Sequence, residues 1–235
     1  ATLETAKPID DLKSRLKVLY AGTDKAGDFY RQFHYALFSY ISHRIPEISE
    51  EVYRVDDAMM AGFGWEIGAF ESWDTLGFVK TTEAMKAAGY TVAPWIDEMI
   101  SKGITSFFKI ENGKSLYYDI ATQSYKAKPG ADAFIVMKNF ANETVWKNSA
   151  CRTYHLGEDV IGLEWYTKMG SIGGEVLEGI QKSIALAEEK YKGLVIANDG
   201  ANFSAGANVA MIFMMAIEQD FDEIDMAIRQ FQQTM

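Results

Sequence analysis

The stretch at residues 193–209 could position chemistry, because its character changes twice within a short span. Residues 194–197 form an apolar run bounded by a glycine and by the turn-forming letters N-D-G at 198–200, which predicts a buried strand. Residues 203–208 then read F-S-A-G-A-N, and the apolar run after them predicts a helix. Small residues between a strand and a helix can aim backbone N–H groups at developing negative charge. The loop is therefore a candidate oxyanion hole, although an ordinary strand-to-helix turn also needs small residues.

The letters F-S-A-G-A-N resemble the F-x-A-G-A-D loop of the enoyl-CoA hydratase (crotonase) superfamily, with Asn208 where most members have Asp. The resemblance implies that the Ala205 N–H is one of two donors to the thioester oxygen of an acyl-CoA. It also implies that Ala207 and Asn208, just after the glycine, border the CoA adenine. Donors at that oxygen stabilise the enolate charge through which the chemistry passes.

A second segment matches the same family. The letters K-M-G-S-I at residues 168–172 stand where crotonases have an x-x-N-A-L segment near the CoA phosphates, with Gly170 in place of Asn. The resemblance makes Lys168 a candidate phosphate contact. An exposed lysine beside a glycine-rich turn is the alternative interpretation.

Composition limits the classes of function that fit. A chain of 235 residues can bury a substantial core, and its hydrophobic content of 48% is ordinary for a globular protein. The formal net charge of −10 argues against nucleic-acid binding, because little here would neutralise phosphates. No apolar run approaches the roughly 18 residues of a membrane span. A single cysteine, Cys151, excludes an internal disulfide framework and favours the cytoplasm.

Residues 1–103 predict helices throughout. Leucines after Pro8 repeat at helical spacing, and a longer helix is predicted from about residue 24 to 44, with aromatic and aliphatic residues at 29, 33, 37, 40 and 41. A helix after a Ser49 cap is predicted to end at Gly62. Two short helices are predicted at residues 81–88 and 93–102.

Residues 62–77 read G-F-G-W-E-I-G-A-F-E-S-W-D-T-L-G. The glycine spacing differs from a dinucleotide fingerprint, and a predicted helix precedes it rather than a strand. It is similar to the G-[FA]-G-[WY]-x-x-G-P-F-E-x-x-D turn in the helical C-terminal domain of 3-hydroxyacyl-CoA dehydrogenases, with Ala69 in place of the usual Pro. By that resemblance Glu71 and Asp74 cap and orient the turn, whereas an acid/base pair is the alternative. The arrangement resembles the second copy of that family's helical repeat.

The middle and end of the chain change period. Residues 106–120 predict a β-hairpin with its turn at E-N-G. The hairpin lies within a predicted connector at 104–148. The lysines at 109, 114, 126 and 128 fit the solvated face of a linker better than a phosphate-binding site. Residues 150–155 and 159–166 predict a strand pair, followed by a helix at 173–192 and the strand at 194–197. This ββαβ order, with a parallel crossover, is the order in which a crotonase domain begins. An amphipathic helix is predicted for residues 221–235.

Other chemistry has little support in the sequence. His34, His43 and His155 lie on different elements without a Cys or carboxylate at metal-ligand spacing, so no metal is expected. Cys151 fits a small core residue better than a nucleophile. The methionines at 211, 214 and 215 fit core packing better than an acyl channel. The second oxyanion donor of crotonases lies in a triple-glycine loop, with acid/base glutamates in and after it, and no triple glycine occurs here.

The sequence therefore predicts an α+β (mixed) fold class in three domains. These are a helical dehydrogenase C-terminal-type domain at 1–103, the connector at 104–148, and the truncated first part of a crotonase domain at 149–235. By resemblance the parent is a bifunctional β-oxidation enzyme that hydrates enoyl-CoA and oxidises 3-hydroxyacyl-CoA with NAD. An NAD-binding domain is expected upstream and the rest of the crotonase domain downstream, so the piece alone is expected to be inactive. A non-catalytic scaffold or weak acyl-CoA-binding module is the alternative, and self-association through residues 209–235 is expected.

Overall fold

The computed structural model describes residues 1–131, 133–199 and 202–235. Helices and two β-sheets build the described chain, which confirms the mixed α and β class. Internal contacts divide the chain into two compact units, Ala1–Ala133 and Phe134–Met235. The segment predicted as a connector is shared between them, since residues 104–133 belong to the first unit and 134–148 to the second. No helix of the described residues is both long and apolar enough to cross a membrane.

Seven helices build most of the described first unit, and two of them begin after an acidic cap residue. Asp11 accepts a hydrogen bond from the Ser14 N–H, and Asp24 accepts from Ala26 and Gly27, so each carboxylate satisfies donors that the first helical turn leaves free. The helices are α1 (Thr2–Ala6), α2 (Leu12–Ala21), α3 (Lys25–Arg44), α4 (Val52–Phe63), α5 (Ala69–Leu76), α6 (Phe78–Ala87) and α7 (Pro94–Ser101).

Two of these helices differ from the expectation. The predicted Ser49 cap is wrong, because Glu51 precedes α4 and Ser49 instead bonds the Glu51 backbone. Helix α4 ends at Gly64, whose φ of 67° is left-handed, rather than at Gly62. Helix α5 lies within the predicted turn at residues 62–77, where glycines and aromatic residues obscure the helical period.

The first unit's core forms around stacked aromatic rings. Phe38 of α3 stacks on Trp73 of α5 with ring centroids 4.7 Å apart and planes only 2° from parallel. Phe107 packs against both Phe70 and Trp73, and all four side chains are fully buried. Such rings bury a large apolar area, so they dominate the energetics of the unit.

A three-stranded antiparallel sheet in the order β1-β2-β3 completes the first unit: β1 (Phe108–Glu111), β2 (Lys114–Asp119) and β3 (Ser124–Ala127). The hairpin predicted at E-N-G is confirmed, with Asn112 and Gly113 at φ of 52° and 73°. Two positive φ angles are what a tight two-residue hairpin requires. Strand β3 lies within the segment at 104–148, which was predicted to be a connector with one hairpin, so this third strand was not predicted.

The second unit carries a four-stranded sheet with helices. Its elements are β4 (Thr144–Lys147), β5 (Cys151–Gly157), β6 (Val160–Trp165), α8 (Gly174–Lys190), β7 (Gly193–Ile196), α9 (Val209–Ile217) and α10 (Phe221–Thr234), with short 3-10 turns at Met137–Glu143 and Lys168–Gly170. The strand order is β4-β5-β6-β7. Strands β5 and β6 are antiparallel, and β7 joins β6 in parallel after α8. The predicted ββαβ order of elements is therefore present.

Helix α8 packs closely on the sheet at one small residue. A Cβ on Gly179 would lie 2.1 Å from the Cys151 sulfur, so only glycine fits there. Cys151 is fully buried, and burial raises the pKa of its thiol to about 11. The buried hydroxyl groups of Thr153 and Ser183 form a hydrogen bond with each other, with their oxygens 2.7 Å apart. Cys151 thus has the environment of a core residue, as predicted.

The end of the second unit leaves apolar side chains exposed. Strand β7 lies at the edge of the sheet, and Val195 and Ile196 are 45% and 39% exposed although a buried strand was predicted. On α9, Val209, Phe213 and Ile217 are also well exposed. Exposed apolar side chains are therefore concentrated on β7 and α9 at the end of the second unit.

Candidate functional site

The candidate loop at residues 203–208 lies between β7 and α9. Gly206 has a φ of 87°, a left-handed conformation that glycine adopts without strain. Asn208 caps α9, since its side-chain oxygen accepts a hydrogen bond from the Met211 N–H at 3.3 Å. Of the turn expected at 198–200, Gly200 lies outside the described residues, and so does Ala201 after it.

The loop is joined along its length to the segment at residues 168–172. Ile172 pairs with Ala207 in a parallel bridge, and the Ile172 N–H donates to the Gly206 carbonyl at 2.9 Å. The Ala205 N–H donates to the Met169 carbonyl at 3.1 Å. The two segments that resemble crotonases, separated by more than thirty residues in the sequence, are therefore neighbours in the structure.

The Ala205 N–H lies outside any regular helix or sheet ladder, but it has a backbone acceptor. That acceptor, the Met169 carbonyl, belongs to a residue with a φ of 56°, which is unusual for a side chain other than Gly, Asn or Asp. A single N–H directs its bond at one acceptor, so a thioester oxygen at this position would have to replace the Met169 carbonyl. The role of Ala205 as an oxyanion donor stays a prediction.

Side chains hold the loop from two sides. Asn198 accepts from the Trp165 N–H at 3.0 Å and donates its amide to the Phe203 carbonyl at 2.7 Å. The Ser204 hydroxyl donates to the Gly170 carbonyl at 2.7 Å and accepts from the Gly206 N–H at 3.0 Å. Neither side chain was singled out from the sequence, because one partner of each, Trp165 for Asn198 and Gly170 for Ser204, lies on another segment.

The predicted substrate-binding residues lie on these same two segments. Lys168 is exposed at the start of its 3-10 turn. Ala207 and Asn208 are exposed beside the parallel bridge and line an adjoining cavity. Their contact with CoA stays a prediction for all three residues.

The adjoining cavity has a volume of about 430 Å³ and lies among the loop, the start of α8, and helices α9 and α10. Its lining is mostly apolar and includes Leu177, Ile212 and Phe231, with the polar side chains of Asn208 and two glutamines. Met211 and Met215 also line it, and Met211 is 53% exposed. An apolar cavity of this size beside a few polar groups has the character of a small-molecule site.

Several other titratable groups have structural partners. Within residues 1–131, 133–199 and 202–235, no group of three or more potential metal ligands occurs. His34 is buried, which lowers its pKa, and its ring nitrogen lies 2.6 Å from the Tyr30 carbonyl. Of the connector lysines, Lys126 pairs with Asp119 and Lys128 pairs with Asp57.

The glycine-rich turn at residues 62–77 is held by the carboxyl groups of Asp56, which is buried, and Asp74, which is partly buried. Asp56 accepts from the N–H groups of Phe70 and Glu71, both at 2.8 Å, and so caps α5. Gly68 leaves room for it, since a Cβ there would lie 2.1 Å from the Asp56 carboxyl carbon. Burial raises the pKa of Asp56 to about 7 against the opposing effect of these two bonds.

A second, partly buried carboxyl group of this region joins the turn to the sheet. Asp74 accepts from the N–H groups of Phe107 and Phe108 at 2.9 Å, and burial raises its pKa to about 7. Glu71 instead pairs with Lys13 at 2.7 Å near the surface. The Asp74 contacts fit the orienting interpretation, whereas Glu71 makes an ion pair with Lys13 instead of capping the turn. The segment at 62–77 also follows helix α4 and contains helix α5, which is not the strand-to-helix context of a dinucleotide site.

Sequence comparisons find relatives with related names. The chain is similar, over nearly all of its length, to proteins named for 3-hydroxyacyl-CoA dehydrogenase and for fatty acid oxidation complexes. These relatives support a relationship to the 3-hydroxyacyl-CoA dehydrogenase family. No protein-family model matches the chain, and no solved structure matches it.

The particular relatives are bacterial. A "Probable 3-hydroxyacyl-CoA dehydrogenase" of Bacillus subtilis (strain 168) is 37% identical over 237 residues, which is 99% of this chain and 30% of the relative. A "Putative fatty acid oxidation complex trifunctional enzyme" of Rickettsia prowazekii (strain Madrid E) is 24% identical over 97% of this chain and 29% of the relative. The chain thus spans about 30% of the length of the curated relatives it matches.

Proposed function

We propose that this chain is an internal part of a bifunctional enzyme of fatty acid β-oxidation. The whole protein hydrates trans-2-enoyl-CoA, as a lyase, and oxidises the resulting 3-hydroxyacyl-CoA with NAD, as an oxidoreductase. The first unit supplies helical dehydrogenase structure, and the second begins a crotonase-like hydratase domain. The relatives' names and their extent beyond the matched region support this proposal.

The observation that carries the hydratase half is the pairing of two segments. The loop at 203–208 lies against residues 168–172 through the Ile172 to Gly206 bond and the Ile172–Ala207 bridge. This brings Lys168, Ala205 and Asn208 onto adjoining backbone. In the proposed complex Lys168 contacts a CoA phosphate, and Ala207 and Asn208 border the adenine.

The proposed chemistry at this site is stabilisation of a thioester oxyanion. The Ala205 N–H would donate to the thioester oxygen as negative charge develops there, after that oxygen displaces the Met169 carbonyl. The acyl chain would lie in the apolar cavity beside the loop. A single donor without an acid/base group does not complete hydration, because water addition needs matched proton transfers.

The NAD-dependent step belongs to another part of the proposed enzyme. Among the described residues the glycine-rich turn at 62–77 follows a helix, and its amides are bonded to Asp56. These residues therefore do not fit a dinucleotide, and no step of hydride transfer is assigned to them. When bound elsewhere in the parent, NAD would accept the hydride from the 3-hydroxy carbon.

A second candidate function is favoured by one specific observation. The exposed apolar side chains of α9 and α10, among them Phe213, Phe221 and Met226, would be covered in an assembly. A scaffold or weak acyl-CoA-binding module that self-associates through residues 209–235 would use this surface. Light scattering of the chain at high concentration tests it, since a clean monomer contradicts self-association.

Hydratase assays separate the two proposals. The 235-residue chain should show no turnover of a trans-2-enoyl-CoA, whereas a version continued by about 150 residues of its natural sequence should be active, since that length completes a typical domain. Matched amounts of folded protein, checked by circular dichroism, provide the control. Absence of turnover in the longer protein would favour the scaffold.

A further inference from the structure

We propose that Asn198 and Ser204 are positioning residues that clamp the loop at 203–208 and thereby set the direction of the Ala205 N–H. The inference rests on the proposed hydratase function for its catalytic meaning. The clamp itself is a property of the described chain and can be tested without any activity.

Asn198 connects the end of the sheet to the start of the loop. Its side-chain oxygen accepts from the Trp165 N–H, at the last residue of β6, and its amide donates to the Phe203 carbonyl. One side chain therefore fixes the loop's entry relative to a strand that is buried along most of its length. Asn is suited to this task because it carries both an acceptor and donors.

Ser204 connects the loop to the segment that faces it. Its hydroxyl donates to the Gly170 carbonyl, which also accepts from the Trp165 indole N–H at 3.2 Å. The same hydroxyl accepts from the Gly206 N–H, so it bridges the residues on either side of Ala205. Alanine at 204 would remove both bonds together.

These contacts matter because an oxyanion donor acts through its direction. An N–H displaced by about 1 Å loses much of its stabilisation of developing charge, and such displacements lower rates by about 100-fold in enzymes. Neither clamp side chain needs to touch the thioester oxygen. Their effect would reach it through the backbone of residues 203–206.

Amide hydrogen exchange in the 235-residue chain tests the clamp directly. We expect Ser204→Ala to speed exchange of the Ala205 and Gly206 amides by about tenfold or more, because both hydrogen bonds of the hydroxyl are lost. Ser204→Thr retains the hydroxyl and should stay near the wild type. Ser149→Ala is the matched control, because its exposed hydroxyl bonds Glu175 away from the loop.

Asn198→Asp tests the two hydrogen bonds of the Asn198 side chain separately. Aspartate keeps the acceptor for the Trp165 N–H but cannot donate to the Phe203 carbonyl when ionised. The loop amides should exchange faster while the Trp165 amide is unchanged. Unchanged loop exchange in Ser204→Ala and Asn198→Asp, or an equal increase in the amides of β5 and β6, would overturn the clamp.

Kinetics of the longer protein then test the catalytic meaning. Ser204→Ala should lower kcat by about 10- to 100-fold with KM changed less than about threefold, and Ser204→Thr should restore kcat. Unchanged kcat together with faster loop exchange would overturn the positioning role. If the longer wild-type protein has no activity, the proposed function fails, while the exchange experiment still decides whether the clamp exists.

Discussion

Two turns rich in small residues, one in each unit, differ in what accepts their backbone N–H groups. In the first unit the amides of Phe70 and Glu71 donate to Asp56, a carboxyl group buried with them. In the second unit the Ala205 amide donates to a backbone carbonyl in an exposed turn. A buried side-chain acceptor cannot be displaced by a ligand without opening the core. Both turns are rich in small residues. They differ in the group that accepts hydrogen bonds from their backbone N–H groups, and that difference decides whether a ligand could replace the acceptor.

The largest expected effect is a pH dependence of the first unit. Burial raises the pKa of Asp56 and of Asp74 to about 7, so the folded state binds these protons more tightly than the unfolded state does. The stability that they contribute is complete below about pH 4 and is lost as pH rises through about 7, amounting to several kcal/mol in all. Urea unfolding across this range measures the change.

A matched pair of variants separates the contribution of the Asp74 carboxyl group from that of other acids. The Asn side chain of Asp74→Asn cannot ionise. The unfolding free energy of this variant should therefore increase relative to that of the wild type as pH rises from 4 to 8. Asp57→Asn changes an exposed acid that pairs with Lys128 and should leave the wild-type pH dependence nearly intact. A pH-independent difference between Asp74→Asn and the wild type would contradict the raised pKa.

Removing the cap on α5 should have the next largest effect. Asp56→Ala leaves two buried amides without acceptors, and we expect a loss of about 3 kcal/mol in unfolding free energy at pH 7. Asp57→Ala, at an adjacent exposed position, should cost less than about 1 kcal/mol. Denaturation followed by tryptophan fluorescence measures both. Equal costs for the two variants would show that the cap adds little.

A methyl group at Gly68 should disturb the same contact from the other side. Gly68→Ala places a Cβ within 2.1 Å of the Asp56 carboxyl carbon, so we expect a cost of about 2 kcal/mol. Gly62→Ala is the control, because a Cβ there meets nothing within 4 Å and the residue lies inside α4. It should stabilise the unit by about 0.5 to 1 kcal/mol. The same sign for both variants would contradict this packing.

The smallest effect concerns the turn in the second unit that supplies the Ala205 acceptor. Met169 is 69% exposed and has a left-handed backbone, which Asn tolerates and β-branched residues do not. Met169→Asn should stabilise the second unit by about 0.5 kcal/mol, and Met169→Val should destabilise it by about 1 kcal/mol. Thermal denaturation compares them. A more stable Val variant would contradict the left-handed turn.

The sequence predicts structural elements that are determined by residues close together along the chain. The E-N-G hairpin follows from residues that accept positive φ, and the order of β5, β6, α8 and β7 follows from runs of matching period. Helix α3 shows the limit of this approach. Its length was predicted, but residues 34, 38 and 41 are buried while Phe29 and Tyr40 are exposed. Aromatic residues of α3 occur on all sides of the helix. The spacing of apolar residues therefore does not identify the buried face, which is selected by packing against the rest of the unit.

The candidate site was predictable in its segments but not in its contacts. The letters of 203–208 and 168–172 indicated both segments, and the structure brings them together. The bond from Ala205 to Met169 was not predictable, because it depends on the left-handed backbone of a methionine. Asp56 was missed for a similar reason. Its partners lie fourteen and fifteen residues further along the chain.

The central claim is that the Ala205 N–H stabilises a thioester oxyanion, and removing that hydrogen tests it most directly. Ala205→Pro deletes the donor, whereas Ala205→Gly keeps it, and both are assayed for hydratase turnover in the longer protein after circular dichroism confirms folding. We predict that Ala205→Pro loses about 100-fold or more in kcat and that Ala205→Gly stays close to the wild type. Wild-type turnover by a folded Ala205→Pro variant would contradict the claim.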